Sequence, residues 1–345
     1  MVNECLETGD FLLMEKKSTI QDIAAMAGVS KSTVSRYLNN GYVSREKAAK
    51  ISEIIDQTGF QSNFFAKRLK TKHSKLIGVV LPRMDSVTVG KLLAGINHIL
   101  APAGWQAILL VSDLDQQKEI KNIISLQQQG VDGIIVDSIA ITDGHLDLLQ
   151  SLDLPVVFTG QQHPAVHYVK INDELAGRMM GEYLRQKGHR RVVFAGVTEA
   201  DCAVGRERRL GFVEAFAKGN PAAEVFFVET GFSFAGAYDK GAEIVAFGPT
   251  AVVCATDNIG LGLLRYLHEL GVRVPADISL AGFGGYEVGA VSYPALTTIA
   301  FNYEMIGMKT AQGMLDLLDG QEMTSNNDLP LVFIERESVR ALEGE

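Results

Sequence analysis

The feature that most constrains the fold is an alternation of short apolar runs with longer amphipathic stretches from residue 76 onward. The runs are rich in β-branched residues and show no polar alternation, which is typical of strands buried on both faces of a sheet. They lie at residues 76–81, 105–111, 131–136 and 155–159, and again at residues 191–195, 250–255 and 277–283. Amphipathic stretches between successive strands predict parallel sheets covered by helices, which is an α/β fold.

Two such sheets suit the length of the chain. The chain has 345 residues, which corresponds to roughly two to three folding units of about 150 residues each. In open parallel sheets, ligands bind outside the carboxyl ends of the strands. We therefore expect a ligand-binding cleft between two sheets in the part of the chain after residue 75.

Charge divides the chain into a basic head and an acidic body. The formal net charge is −9, yet residues 14–75 contain 12 Lys and Arg against 5 Asp and Glu, whereas residues 76–345 contain 20 against 33. A compact basic segment on an acidic body is expected where only that segment meets nucleic-acid phosphates. A basic face that is merely exposed to solvent would have the same composition. The residue pattern therefore has to distinguish a nucleic-acid-binding segment from an ordinary solvated surface.

The sequence argues against a membrane or exported protein. It contains no run of the roughly 18 apolar residues that a spanning helix needs. The first 13 residues contain three acids and no base, unlike a secretory signal peptide. The cysteines, Cys5, Cys202 and Cys254, are odd in number and far apart. This usage favours a reducing cytoplasm over disulfides or a structural zinc site, so we expect a cytoplasmic protein.

The basic head predicts three short helices. Thr19 fits a capping box that starts the first helix, Gly28 supplies the turn that ends it, and Ser30 caps a second helix over residues 31–38. Ser44 opens a third helix after an Asn-Asn-Gly turn. The tight turn between the first two helices favours a steep crossing, so the pattern predicts a helix-turn-helix.

One face of the second helix is polar and is formed by Lys31, Ser32, Ser35, Arg36 and Asn39. In a helix-turn-helix, side chains near the start of this helix reach base edges in the major groove. Lysine, serine and arginine can hydrogen-bond to base edges or phosphates. The pattern therefore predicts a DNA-binding head, with an ordinary solvated helix face as the alternative.

The run TIQDIAAMAGVSKSTVSRYLNN at residues 19–40 resembles the N-terminal signature of the LacI/GalR family of bacterial transcription regulators. The similarity extends through the rest of the chain. Members of that family bind an inverted-repeat operator as homodimers, with one half-site for each monomer. The resemblance implies base contacts for Lys31, Ser32 and Arg36, and a DNA contact for Tyr42 in the following loop. It implies phosphate or scaffold contacts for Thr19, Ser30, Thr33 and Asn39.

A second basic segment at residues 63–70, NFFAKRLK, resembles the hinge helix of the same family. Eight residues are too few for a stable isolated helix, so this segment would need DNA and a partner hinge to fold. By the resemblance, Leu69 is a wedge that opens a base step, Ala66 allows close helix approach, and Asn63 and Lys67 also contact DNA. Ser62 stands where the family usually has proline. A basic linker with a chance leucine is the alternative.

The resemblance also implies a domain organisation. A family-like start lies near Met14, so residues 1–13 are upstream of it. The domain division then has a leader at residues 1–17, the helix-turn-helix domain at residues 18–62, and the hinge helix and linker at residues 63–75. Residues 76–345 resemble a periplasmic sugar-binding protein, with two Rossmann-like lobes joined by three crossovers near residues 171–174, 298–302 and 322–328. Lobe 1 then takes residues 76–172 and 302–323, and lobe 2 takes residues 173–301 and 324–345. This part would also carry the dimer interface.

Six residues in loops at the predicted strand ends are candidates for binding a small sugar effector: Asp85, Ser86, Arg208, Phe232, Thr256 and Asp257. Arg208 matches the ligand-facing arginine of an R-x-R-x-x-G element in the family, and Phe232 a position often filled by an aromatic ring. A guanidinium fork and carboxylates suit vicinal hydroxyls. Each residue alone is more often structural than functional, but their convergence on one cleft favours a ligand site.

The run Phe283-Gly284-Gly285-Tyr286 departs from many family members, which carry an aspartate after the glycine-aromatic pair. Loss of that carboxylate removes a hydroxyl acceptor and predicts more room for the ligand. The run most resembles repressors of sucrose and related disaccharide operons, which implies sucrose, a related disaccharide or its phosphate as the effector that releases the operator.

Other functions have less support in the sequence. No phosphate-binding loop, nucleophile elbow or complete dinucleotide fingerprint is present, so we expect neither an enzyme nor a cofactor. His163 and His167 flank Pro164, which makes a metal-binding helix improbable, and no metal is expected. A sugar-binding transport component would lack the basic head. Co-repression by a purine or a phosphorylated carrier protein remains an alternative to induction, and a dimer is preferred to a tetramer because no heptad extension follows.

Overall fold

The computed structural model describes residues 18–38, 41–60, 73–325 and 328–342. It divides into two compact units, residues 1–74 and residues 75–345. The fold class predicted from the sequence is confirmed: a three-helix head is followed by two mainly parallel sheets covered by helices.

The first unit contains α1 (Ile20–Ala27), α2 (Lys31–Leu38) and α3 (Arg45–Thr58). The capping box is present: the Thr19 hydroxyl accepts from the backbone N–H of Asp22, and the Asp22 carboxylate accepts from the Thr19 N–H at 2.7 Å. Gly28 ends α1 in the left-handed region, with φ at 63°. The three helices share one small core, formed by Ile23, Ala24, Ala27, Val34, Ile51, Ile54 and Phe60.

The second unit begins with a five-stranded parallel sheet of order β2-β1-β3-β4-β5. Its strands are β1 (Leu76–Leu81), β2 (Gln106–Val111), β3 (Gly133–Asp137), β4 (Val156–Thr159) and β5 (His167–Val169). The connecting helices are α4 (Val87–Leu100), α5 (Gln116–Gln128) and α6 (Asp143–Leu149). We call this sheet and its helices lobe 1.

A six-stranded sheet of order β11-β10-β9-β8-β6-β7 forms lobe 2. Its strands are β6 (Arg191–Gly196), β7 (Glu224–Glu229), β8 (Ala251–Cys254), β9 (Ser279–Gly284), β10 (Thr297–Phe301) and β11 (Leu331–Ile334). Only β11 runs antiparallel to its neighbour. Its helices are α7 (Asp173–Gln186), α8 (Arg208–Ala217), α9 (Phe234–Asp239), α10 (Gly241–Ala246), α11 (Asp257–Glu269) and α12 (Glu287–Val291), while α13 (Tyr303–Leu318) returns to lobe 1. A π-helical turn, Cys202–Glu207, leads into α8.

The chain passes between the two lobes three times. It leaves lobe 1 after β5, returns at Asn302 between β10 and α13, and leaves again between α13 and β11. Asn172 caps α7 and Asn302 caps α13, each through a side-chain bond from the backbone N–H three residues on. Two of the three passages therefore end in an amide-capped helix start.

Glycines allow two helix pairs to meet backbone to backbone. In lobe 2, a Cβ at Gly177 of α7 would overlap the carbonyl oxygen of Arg208 in α8, and one at Gly211 would overlap the carbonyl of Glu174. In lobe 1, a Cβ at Gly95 of α4 would overlap the carbonyl oxygen of Glu304 in α13. These contacts fix the first turns of α7, α8 and α13, which carry site residues.

We expect Gly177→Ala to lower the free energy of unfolding by about 1–3 kcal/mol, because the added methyl must push α8 away from α7. The measurement is thermal unfolding followed by circular dichroism. Gly90→Ala in α4 is the matched control, since nothing lies within 4 Å of its Cβ position. That control should gain about 0.5–1 kcal/mol from helix propensity. Equal stability of the two variants would contradict the close packing.

Candidate DNA-binding face and effector cavity

The polar face of α2 is accessible in the head. Lys31, Ser32 and Arg36 are exposed, while Ser35 and Thr33 are half-buried. Val34 lies on the opposite side of the helix and is fully buried in the core. The core therefore orients α2 so that the predicted base-contacting side chains point to solvent.

Local hydrogen bonds order the start of α2. The Ser30 hydroxyl accepts from the Thr33 N–H at 3.2 Å and shares bonds with the Ser32 and Thr33 hydroxyls, both at 2.8 Å. The Thr19 hydroxyl donates to Asp22 at 2.7 Å and so belongs to the cap of α1. Tyr42 is 88% exposed after α2. The remaining DNA-binding candidates, Asn39, Asn63, Ala66, Lys67 and Leu69, lie outside the described residues.

An inner cavity of about 140 Å³ lies between the lobes at the carboxyl ends of their strands. Lobe 1 contributes residues after β1, β3 and β4, together with Tyr303 at the start of α13. Lobe 2 contributes residues after β8 and β9, together with the start of α8. Its polar and aromatic lining comprises Arg83, Ser86, Thr88, Asp137, Ser138, Thr159, Gln161, Asp173, Asp201, Arg208, Phe232, Thr256, Tyr286 and Tyr303.

Arg208 is buried in the wall of this cavity, and each of its three guanidinium nitrogens donates a hydrogen bond. Its Nε donates to Asp173 Oδ1 at 2.9 Å, its Nη2 donates to the same oxygen, and its Nη1 donates to the carbonyl of Ala255. The guanidinium carbon lies 5.0 Å from the ring centroids of both Phe283 and Phe301. Arg208 thus presents a rigid cationic plane beside Asp173.

Two further carboxyl groups line the cavity. Asp137 accepts a hydrogen bond from the Thr159 hydroxyl at 2.7 Å, and burial raises the pKa of Asp137 to about 7. Asp201 caps the π-helical turn by accepting from the Val204 N–H at 2.8 Å, and burial raises its pKa to about 6. Both groups can therefore exchange a proton near neutral pH.

A buried polar network lies behind Ser138. The Ser138 hydroxyl donates to Glu119 at 2.7 Å, and His145 Nε2 lies 2.9 Å from the same carboxylate oxygen. His145 Nδ1 accepts from the Thr142 N–H at 3.2 Å, which leaves the Nε2 proton for Glu119. This network holds the loop after β3 in place.

The structure brings four of the six predicted effector residues to the inner cavity: Ser86, Arg208, Phe232 and Thr256. Asp85 is instead exposed at a wider outer opening, where it pairs with Arg83 at 3.6 Å. Asp257 does not line the cavity. It is fully buried and accepts from the Thr298 hydroxyl and the Tyr286 N–H, both at 2.7 Å.

The space expected from the two glycines at the end of β9 is occupied. Gly284 and Gly285 have φ angles of 128° and 69°, which favour glycine. A Cβ at Gly284 would overlap the ring of Tyr286, which folds back and forms part of the cavity wall. The glycines therefore position an aromatic ring rather than enlarge the cavity.

Sequence reasoning missed several lining residues, among them Asp137, Thr159, Asp173, Asp201 and Tyr303. A signal for two of them was available, because Asp137 ends β3 and Thr159 ends β4, and ligands bind outside the carboxyl ends of parallel strands. Asp173 and Tyr303 begin helices after the passages between lobes, which periodicity does not mark.

Within the described ranges, no group of three or more His, Cys, Asp or Glu side chains is placed to hold a metal ion. No helix among the same residues is both long enough and apolar enough to cross a membrane.

A helix-turn-helix head followed by a two-lobed receptor with a cavity between the lobes defines a ligand-responsive transcription regulator. Residues 19–63 match the lacI family of bacterial regulatory proteins, and residues 182–339 match a periplasmic binding protein-like domain. The sucrose operon repressor of Staphylococcus xylosus is 36% identical over 84% of this chain and 90% of its own length. The chain belongs to the LacI family and is a DNA-binding transcriptional repressor.

Solved structures agree on the fold. A lac repressor dimer bound to operator and an anti-inducer has a TM-score of 0.86, 24% identity, and covers 94% of this chain and all of its own. A LacI family regulator from Enterococcus faecium with bound ribose has a TM-score of 0.70 and 26% identity, and the match covers 78% of this chain and all of that one.

The raised pKa of Asp137 predicts a pH dependence of stability. The folded protein holds the proton up to about pH 7, whereas an unfolded chain releases it near pH 4. Stability supplied by this group is therefore lost as the pH rises from about 4 to 7. Asp137→Asn should gain at least about 1 kcal/mol relative to the wild type between pH 5 and pH 8, since each pKa unit is equivalent to about 1.4 kcal/mol.

The measurement is urea unfolding at both pH values. Asp153→Asn is the control, because Asp153 is exposed and precedes β4 at the opposite strand end from the cavity. A pH profile of Asp137→Asn that parallels the wild type would contradict the assignment.

Proposed function

We propose that this repressor controls a sugar-utilisation operon and leaves its operator when a sugar binds in the inner cavity. The observation that carries the proposal is the lining, in which both lobes supply hydrogen-bonding groups around aromatic surfaces. Asp137 and Thr159 come from lobe 1, and Arg208 and Thr256 from lobe 2. Carboxylates, a guanidinium and aromatic rings are suited to the hydroxyls and apolar faces of a sugar.

A ligand held by both lobes favours the arrangement in which the lobes are closest. Ligand binding can change operator occupancy only through different affinities for the two arrangements, and reversal from 1:99 to 99:1 takes about 5.5 kcal/mol. A sugar that bridges the lobes with several hydrogen bonds can supply part of that difference in each subunit of a homodimer.

The 36% identity to the sucrose operon repressor supports sucrose or a related disaccharide as the effector. The charge of the lining favours an uncharged sugar over its phosphate. Asp137, Asp173 and Asp201 face the cavity, while Arg208 is already paired with Asp173. A phosphate would meet two further carboxyl groups that are partly ionised near neutral pH, which disfavours binding.

On the DNA side, we propose that Lys31, Ser32 and Arg36 contact bases of an inverted-repeat half-site. Ser30, Thr33 and Ser35 at α2, together with Thr19, Asn39, Tyr42, Asn63, Ala66 and Lys67, contact phosphates or support the interface. Leu69 acts as the minor-groove wedge. We further propose that the protein acts in the cytoplasm as a dimer, needs no cofactor or metal and catalyses no reaction. Co-repression is separated from induction by the sign of the ligand effect on operator affinity.

Arg208→Lys should retain operator binding and require at least about 10-fold more sugar for release. Lysine keeps the charge but lacks the planar guanidinium, which donates hydrogen bonds to Asp173 and to the Ala255 carbonyl at the same time. Sugar titrations of a fluorescent operator complex, with mono- and disaccharides and their phosphates, measure this change. Arg206→Lys, two residues earlier and exposed, is the matched control. An unaltered response of Arg208→Lys would exclude Arg208 from sensing.

Leu69→Ala should weaken binding to the best duplex selected from a random library by at least about 10-fold, because the wedge no longer stabilises the kinked base step. Binding to random duplex should change less than about 2-fold, since phosphate contacts dominate it. Anisotropy at fixed salt measures both affinities. Leu270→Ala, an exposed leucine in the other unit, is the control. Equal losses on both duplexes would refute the wedge.

A further inference from the structure

One turn of lobe 2 is bonded to lobe 1 at both of its ends. This is the π-helical turn that leads into α8. At its start, the Cys202 N–H donates to the carbonyl of Ile139, which follows β3 in lobe 1, at 2.9 Å. At its end, the Glu207 carboxylate accepts from the ammonium of Lys170, which follows β5 in lobe 1. Lobe 1 therefore anchors a short segment of lobe 2 at two points.

The turn itself is closely packed. Its N-cap, Asp201, accepts from the Val204 N–H at 2.8 Å. A Cβ at Gly205 would overlap the carbonyl oxygen of Thr198, so the turn lies directly against the preceding backbone. Turns of this class are rare and are frequently found at functional sites. Because Arg208 is the next residue in the chain, the contacts that hold the turn also determine where its guanidinium lies.

A buried network fixes the anchor at the start of the turn. Ile139 lies in the loop between Ser138 and Thr142. The Ser138 hydroxyl donates to Glu119 at 2.7 Å, and His145 Nε2 donates to the same carboxylate at 2.9 Å. His145 Nδ1 accepts from the Thr142 N–H at 3.2 Å. Glu119 is 2% exposed and His145 is 0% exposed. A buried hydrogen-bond network makes the segments that it joins rigid, so the loop presents its carbonyl at a fixed position.

The anchor at the end of the turn is a buried ion pair. Lys170 is only 3% exposed, and its ammonium bonds to the Glu207 carboxylate from the other lobe. Removing one partner of a buried ion pair is strongly unfavourable, because the remaining charge is left without compensation. Movement of the turn away from lobe 1 would take this carboxylate from Lys170. The pair therefore resists that movement.

We infer that lobe 1 positions Arg208 through this turn, and that His145 and Lys170 are the positioning residues. His145 acts through the loop that contains Ile139, and Lys170 acts through Glu207. Both side chains lie outside the linings of the inner cavity and of the outer opening. The inference rests on the proposed function only for its effect on the sugar response, because the contacts between the lobes need no sugar.

The two anchors make the response depend on contacts that are remote from the sugar. The Arg208 guanidinium bonds to Asp173 directly after a passage between the lobes. A sugar can bridge the lobes only while this guanidinium stays in the cavity wall. Loosening either anchor should therefore weaken the sugar response. The head is a separate compact unit, so its operator contacts should be retained.

Hydrogen–deuterium exchange of the full chain, followed by mass spectrometry, tests the positioning without any ligand. His145→Leu removes both hydrogen bonds of the ring, and Lys170→Met removes the ammonium. Each variant should speed exchange of the amides of residues 202–207 at least about 5-fold, because the turn loses one anchor and opens more often. The amides of β6, in the sheet of the same lobe, should change less than about 2-fold.

Each anchor has a matched control. His145→Gln keeps an acceptor for the Thr142 N–H and a donor for Glu119. Lys240→Met also removes a lysine from an ion pair, but Lys240 pairs with Glu243 on the surface of lobe 2. Both controls should exchange within about 2-fold of the wild type at residues 202–207.

Release of the operator tests the consequence for regulation. Sucrose, maltose and trehalose are titrated against the complex with the best duplex selected from a random library. The variants are then compared with the sugar that releases the wild type at the lowest concentration. His145→Leu and Lys170→Met should need at least about 5-fold more of that sugar, while their operator affinity without sugar stays within about 3-fold of the wild type.

Unchanged exchange at residues 202–207 in either variant would overturn the role of that residue. Equal acceleration in β6, or a His145→Gln profile that matches His145→Leu, would show a loss of stability and overturn the positioning. Faster exchange with unaltered release would overturn the link to the sugar response. If no sugar releases the wild type, the proposed function fails, while the exchange measurement still decides whether lobe 1 positions the turn.

Discussion

The buried pair of Arg208 and Asp173 is the interaction on which the binding part of the structure depends. Removing both charges from water costs several kcal/mol for each ion, and only good geometry with further hydrogen bonds offsets that cost. Here the Asp173 carboxylate accepts hydrogen bonds from Nε and Nη2 of the Arg208 guanidinium. The third nitrogen, Nη1, donates to the carbonyl of Ala255, which follows β8. The pair therefore joins α7, α8 and the end of β8, one of the two central strands of lobe 2.

That geometry requires close helix packing. Arg208 is the first residue of α8, and Asp173 is the first residue of α7. Gly177 and Gly211 allow the backbones of these two helices to be in direct contact. The positive end of the α7 dipole also favours a carboxylate at its first residue. Because α7 starts directly after a passage between lobes, the same pair fixes the chain where the lobes meet.

The sequence was sufficient to predict the architecture and the head. Apolar runs separated by helical stretches fold into few architectures other than parallel sheets covered by helices. The capping residues around α1 and α2 act on neighbouring residues only, so they can be recognised in the sequence. Four strands, β5, β7, β10 and β11, were not predicted, and three of them carry weak signals. β5 is three residues long, and β7 and β11 lie at sheet edges with exposed positions along them.

The site was less predictable because orientation is decided by tertiary contacts. Asp137 is the last residue of β3, and Asp257 begins α11 three residues after β8, so the sequence shows each as a carboxylate near the end of a strand. Asp257 turns away from the cavity because Thr298 of β10, distant in sequence, donates to it. Asp137 faces the cavity because Thr159 of the neighbouring strand β4 holds it there. The register of neighbouring strands brings Thr298 to Asp257 and Thr159 to Asp137, and this register cannot be read from one sequence.

The residues of the inner cavity and those at the rim of the outer opening differ in how closely they are tied to the fold. Arg208 and Asp173 belong to the packed interior, so substitutions there disturb buried charges and helix contacts. Thr198 and Glu229 are exposed at the rim of the outer opening, where substitutions usually cost less than about 0.5 kcal/mol of stability. Substitutions in the inner cavity are therefore tied to folding, whereas substitutions at the rim of the outer opening leave the packed interior unchanged.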